Sequence, residues 1–161
     1  MATLKEVVEK WDETHPNCQT ETLKGKNVQP GGKIKPGHFH KRHGGEAVIK
    51  LSNGYPYKPW DKRTCYVFAS NYDENNNPIN IVISFQRRIK EHSNTQAFFE
   101  FLNEKFSKKF IPSKGTINPN HLVLKRVFPI NSTAQDICEG MEELIELTQK
   151  PICEFLQARL P

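Results

Sequence analysis

Leu4, Val7, Val8 and Trp11 follow one another at helical spacing behind Thr3-x-x-Glu6, the spacing of a capping box. They predict an amphipathic helix that ends near Thr14, ahead of His15-Pro16, because a residue preceding proline is pushed out of helical geometry. Residues 17–45 show no sustained period. Glu46 to Leu51 reads as a strand, and Ser52-Asn53-Gly54 as a turn. Thr64 to Tyr72 is rich in β-branched and aromatic residues, and Ile79 to Gln86 alternates Ile79, Ile81, Ile83 and Phe85 on one side. The Asn-rich loop Asp73 to Pro78 between them predicts an antiparallel hairpin.

Helical spacing returns at Thr95 to about Lys109, where Phe98, Phe101, Leu102, Phe106 and Phe110 form an aromatic stripe expected in the core. Pro112 to Pro119 reads as a loop. His121 to Phe128 is a strand with Leu122, Leu124 and Phe128 on one side. Ser132-Thr133 offers an N-cap to a last helix whose buried face is Ile137, Met141, Leu144, Ile145, Thr148, Ile152, Phe155 and Leu156. Pro151 should kink that helix, since proline removes a helical donor. The order α-β-β-β-α-β-α is that of an α+β fold: an antiparallel sheet of about four to five strands, with helices packed on one face. A single domain over 1–161 is expected, interrupted by a long loop at 17–45.

Composition sharpens the reading of that loop. The chain has 161 residues, and only 36% are hydrophobic. Seven of the nine glycines lie between Gly25 and Gly54. Residues 24–63 hold ten Lys and Arg against Glu46 and Asp61, a balance of +8, which leaves −3 for the rest of a chain whose net charge is +5. From Ala134 to Pro161 six acids face two bases, or −4. Such asymmetry builds a local field that steers a polyanion even at modest net charge. No stretch approaches the roughly 18–20 apolar residues of a membrane span, and no signal-peptide pattern opens the chain. Cys18, Cys65, Cys138 and Cys153 contain no Cys-x-x-Cys pair. Cys138 and Cys153, on one helix, would lie about 22 Å apart, too far for a disulfide. Buried thiols in a reducing, cytoplasmic compartment are expected.

Little in the sequence predicts chemistry. His38 and His40, two apart in an extended segment, have the spacing to share a metal, with His43 or Glu46 as a third ligand. Lys41 and Arg42 sit inside that cluster and oppose a bound cation, so phosphate suits it better. The acids near predicted strands lack the spacing of a magnesium-dependent nuclease. Ser70, Ser84 and Cys65 lack a nucleophile elbow. No Gly-rich turn joins a strand to a helix as in a P-loop. A non-enzymatic protein without a cofactor is expected.

The basic segment points instead to nucleic acid, DNA favoured over RNA. Lys33, Lys35, His38, His40, Lys41, Arg42, Lys62, Arg63, Arg87 and Arg88 are the candidate phosphate contacts. Tyr55, Tyr57 and Trp60, interleaved with lysines, are candidate base-stacking rings.

Val48-Ile49-Lys50-Leu51-Ser52-Asn53-Gly54-Tyr55 with Pro59-Trp60 behind it, the Tyr66 to Phe85 hairpin and the long final helix resemble the N-terminal DNA-reading domain of bacterial restriction GTPases that cut modified-cytosine DNA. The resemblance covers about half of the chain and implies a defence role, in which a methylated base is flipped into an aromatic-lined pocket. The Lys24 to Gly45 loop has no counterpart in that family. Ile79 to Pro161 is also similar to a strand-helix-strand-helix module attached to some bacterial nucleases. Two alternatives remain open. One is a protein-interaction or inhibitor domain that docks an acidic partner through the basic loop. The other is a metal-dependent hydrolase using His38, His40 and Glu46.

Overall fold

The computed structural model describes residues 2–16, 18, 20–22, 28–29, 33–34, 46–49, 64–72, 75, 78–88, 92–114 and 121–159. Helix α1 spans Leu4–Thr14. Thr3 caps it, its Oγ1 accepting the Glu6 backbone N–H at 3.2 Å. Four short strands follow: β1 (Glu21–Thr22), β2 (Val28–Gln29), β3 (Lys33–Ile34) and β4 (Glu46–Ile49). The hairpin strands are β5 (Thr64–Tyr72) and β6 (Pro78–Arg88). Then come α2 (His92–Phe106), β7 (Ile111–Lys114), β8 (His121–Pro129) and α3 (Ala134–Arg159).

The main sheet is antiparallel and runs β1-β4-β5-β6-β8-β7, while β2 and β3 pair only with each other. The α+β class is as expected. Strands β4, β5, β6 and β8 are those the sequence predicted, and β1 and β7 add a strand at each edge. β7 corrects the reading of Pro112 to Pro119 as loop from its start. Its sequence Ile-Pro-Ser-Lys has no alternation to find, and proline is tolerated because β7 is an edge strand. The two-residue strands β1, β2 and β3 fall inside the span 17–45, where two residues cannot show a period.

All three helices pack on one face of the sheet. That face presents Tyr66 and Phe68 from β5, Ile81, Ile83 and Phe85 from β6, and Leu122, Leu124 and Phe128 from β8, in one buried cluster with the helices. Trp11 of α1 meets Phe68 edge-on at 5.5 Å, and Phe98 of α2 stacks on Phe85 at 6.3 Å. Tyr66 Oη and Thr148 Oγ1 of α3 share a buried hydrogen bond of 2.8 Å, so both hydroxyls are satisfied in the core. His15 stacks on Trp11 at 3.7 Å and reaches Glu142 at 2.9 Å, tying the end of α1 to α3. Ile79 departs from the stripe assigned to it. It is 46% exposed, because it lies at the end of β6 beyond the helices' cover. Helix α3 is capped by Thr133, whose Oγ1 accepts the Asp136 N–H at 3.1 Å, and its helical hydrogen bonding carries on past Pro151 to Arg159.

Gly140 sets the approach of α3 to the sheet. A Cβ there would stand 2.4 Å from Phe128 Cζ, and Phe128 is only 4% exposed. Gly140→Ala gains about 1 kcal/mol of helix preference but must displace a packed ring, at a cost of about 1–3 kcal/mol. A net loss of roughly 1 kcal/mol is expected in urea unfolding. The loss should shrink in a Phe128→Leu background, where the colliding atom is gone. Equal losses in both backgrounds would show that the contact is not its origin.

Candidate functional site

Strand alternation sends every second residue of β5, β6 and β8 to the face away from the helices. Register then orders those residues into rows across the sheet. Asn71 stands opposite Asn80. Val67 stands opposite Ser84, which stands opposite Lys125, which in turn meets Ile111 of β7. Gln86 pairs with Val123, and Arg88 with His121.

Several of these side chains bond to one another. Asn71 Nδ2 donates to Asn80 Oδ1 at 2.8 Å. Gln86 Nε2 donates to Ser84 Oγ at 3.0 Å, and Gln86 Oε1 lies 2.9 Å from His121 Nε2. A carbonyl oxygen can only accept, so His121 Nε2 carries the proton and donates. Ser84, Gln86 and His121 thus form a relay across β6 and β8. Val67 and Ser84 are buried, whereas Asn71, Asn80, Gln86, His121, Val123 and Lys125 are half-buried. Val127 and Ile111 are 42% and 54% exposed.

The side chains described on β5, β6 and β8 at this face include no carboxylate, but register gives Glu46, opposite Ala69, and Glu21, opposite Val48, positions on the same side. On the helix layer α3 carries Asp136, Glu139, Glu142, Glu143, Glu146 and Glu154. Lys109 holds Glu143 at 3.3 Å. Arg126, one residue beyond Lys125, turns to the opposite side and lies 4.6 Å over the Phe128 ring. That guanidinium, Asp136, Glu139 and Glu143 line a groove between β8 and α3.

The structure corrects one predicted phosphate contact. Arg87 stands opposite Leu122 on the helix-covered face and is 5% exposed, so it is buried structure rather than a surface cation. Its neighbour Arg88 takes the other register position, opposite His121. Lys33 lies in β3, and Glu46 in β4 opposite Ala69. Lys35, His38, His40, Lys41, Arg42, His43, Tyr55, Tyr57, Trp60, Lys62 and Arg63 lie outside the described residues. Among the described residues no group of three or more His, Cys, Asp or Glu is placed to hold a metal, and no helix is long and apolar enough to cross a membrane.

Sequence reasoning weighed Ser84 only as a nucleophile and passed over Gln86, His121 and Lys125. Their signal was the polar half of each alternating strand, read only for its apolar half. The partnership of Gln86 with His121 spans 35 residues of sequence and has no local signature. Nucleophilic chemistry gains no support: Ser70 and Ser84 are each 3% exposed. Burial pushes the Cys138 thiol up to about 11, with Glu142 and Glu139 adding to the shift and Lys10 opposing it. Burial and then Asp12 raise the Cys18 thiol as well, so neither offers a thiolate near neutral pH. No family model, curated protein or solved structure matches this chain.

Proposed function

We propose that this protein is a nucleic-acid-binding module, with DNA the favoured ligand, that binds through its basic segment and the sheet face opposite the helices. The observation that carries this reading is the concentration of positive charge in residues 24–63, set against an α3 that carries six acids. A polyanion is attracted to the first and repelled by the second. The sheet face opposite the helices adds Lys125 and His121, beside the register positions of Glu46 and Glu21. The segment 24–63, with its balance of +8, enters the sheet as β4 and leaves it into β5. Phosphate contacts of this kind position a nucleic acid without reading its sequence. Recognition of a modified cytosine by Tyr55, Tyr57 or Trp60, in a defence setting, is the finer form of the proposal.

Oligonucleotide binding tests both levels. Single- and double-stranded probes, plain or 5-methylcytosine-containing, are titrated by fluorescence anisotropy at two salt concentrations. Affinity should fall with salt, each neutralised phosphate adding about 0.9 to the slope of log K against log salt on a duplex. Affinity that ignores salt, or no binding at low salt, would sink the proposal. Equal affinity for plain and methylated probes would remove only the base-reading part. Exposed Ile111 and Val127, close together on the same face, favour a second reading in which a protein docks there. A pull-down that survives nuclease treatment and is lost in Val127→Asp would support it.

A further inference from the structure

A small cavity lies on the helix side of the sheet, at the end where β5 closes and β6 opens. It is therefore separate from the face assigned to nucleic acid above. Its volume is about 70 Å³, and its lining includes Thr3 and Leu4 of the α1 start, Ser70 of β5, Ile81 of β6, and Ser132 and Ile137 around the α3 start. An engineered cavity of about 150 Å³ admits a benzene ring, so this one has room for roughly three to five heavy atoms.

Ser70 is the unusual member of that lining. Alternation along β5 turns it to the helix side with Tyr66 and Phe68, and it is 3% exposed. Buried hydroxyls are normally hydrogen-bonded. Among the described residues Ser70 Oγ has no such partner, and it borders the cavity.

Two helices begin here. In α1 the Glu6 N–H goes to Thr3 Oγ1 and the Val7 N–H to the Thr3 carbonyl, which leaves the N–H groups of Leu4 and Lys5 without an acceptor inside the helix. In α3 Thr133 takes the N–H groups of Asp136 and Ile137 in the same way, which leaves those of Ala134 and Gln135. Each helix start carries about half a positive charge.

These groups select the ligand. A buried hydroxyl and helix-start N–H donors favour a negative group. Its charge should be single, because Glu6 and Asp136 occupy the two first turns and no Lys or Arg is among the described residues of the lining. A phosphate dianion is poorly matched for that reason. Ile81 and Ile137, both buried, offer an apolar wall to a short carbon chain.

We infer that this cavity binds a short-chain monocarboxylate, its carboxylate on Ser70 Oγ and the first turn of α1 and its carbon chain against Ile81 and Ile137. The inference does not depend on the nucleic-acid reading.

Backbone amide NMR shifts of the full chain test it, with sodium propionate or butyrate added at constant pH and ionic strength. Sodium phosphate and propionamide are the controls. Saturable shifts should appear at Leu4, Lys5, Ser70 and Ile81 and leave Lys114 and Leu122, at the far end of the sheet, in place. A ligand of so few atoms should bind with Kd on the order of 1 mM. Ser70→Ala removes one charge-assisted hydrogen bond without adding bulk and should weaken binding about tenfold. Thr3→Asp keeps a capping residue on α1 but sets a carboxylate beside the site, so it should abolish the shifts. Full affinity in either variant overturns the inference. So does an equal response to propionamide or phosphate, or no saturable shift with either carboxylate. Each of these failures leaves the nucleic-acid proposal standing.

Discussion

Phe85→Ala should cost about 3–5 kcal/mol of stability, the range for removing a buried phenylalanine without collapse of the site. Phe85 is fully buried on β6, between Tyr66 edge-on at 5.8 Å and Phe98 stacked at 6.3 Å. Strand β6 is flanked by β5 and β8, so backbone relaxation to fill the gap would disturb two ladders. On the α2 side, Phe98 is itself held by Phe101 and Phe155, whose rings stack at 4.4 Å. The cavity should therefore stay open. For a chain of this length the loss corresponds to a fall in Tm of roughly 10–15 °C. Ile79→Ala is the matched control. Sequence pattern assigns Ile79 to the same stripe, yet its 46% exposure predicts a change within about 0.5 kcal/mol. Differential scanning calorimetry of the two variants decides the point. Equal losses would mean that the pattern, rather than the tertiary position, tracks the energetics.

Replacing Lys33, Lys35, Lys41 and Arg42 together with glutamine should have the largest effect on binding. Four lost phosphate contacts should lower the magnitude of the salt slope on a duplex by roughly 3–4. If these contacts are worth little at 1 M salt, that slope amounts to about a thousandfold weaker binding at 0.1 M. Side chains that reach out to phosphates in solvent contribute little to folding, so on this proposal stability should be almost unchanged. The reading takes the slope and the unfolding midpoint from the same protein samples. Arg87→Gln is the instructive contrast. Arg87 is 5% exposed on the helix-covered face, so its loss should act on stability and leave the salt slope alone. A reduced slope in Arg87→Gln, or an unchanged slope in the fourfold variant, would contradict the assignment of phosphate contacts.

Arg87 and Arg88 also show where sequence reading stops. As neighbours in a basic run they look equivalent, and the strand expected to end at Gln86 leaves them outside the alternation. The strand runs on to Arg88, so Arg87 continues the buried stripe of Ile81, Ile83 and Phe85, opposite Leu122, and Arg88 takes the other side, opposite His121. Strand β7 is a second case. Four residues with a central proline carry no period, and the segment becomes a strand because β8 offers it an edge. The long elements were legible for the opposite reason. Leu4–Thr14, Thr64–Tyr72 and Ala134–Arg159 each repeat their apolar spacing over two turns or several pleats.

The sequence by itself determined the class of the fold, the hairpin, the faces of the helices and the concentration of positive charge in residues 24–63. Each of these is set by local periodicity or by a count. The tertiary structure alone decided the strand order β1-β4-β5-β6-β8-β7, that α3 carries its acids away from Lys125, and that Ser84, Gln86 and His121 meet. The reason is physical: these facts depend on strand register and on which sheet face the helices bury, and both follow from pairings between residues distant in the chain.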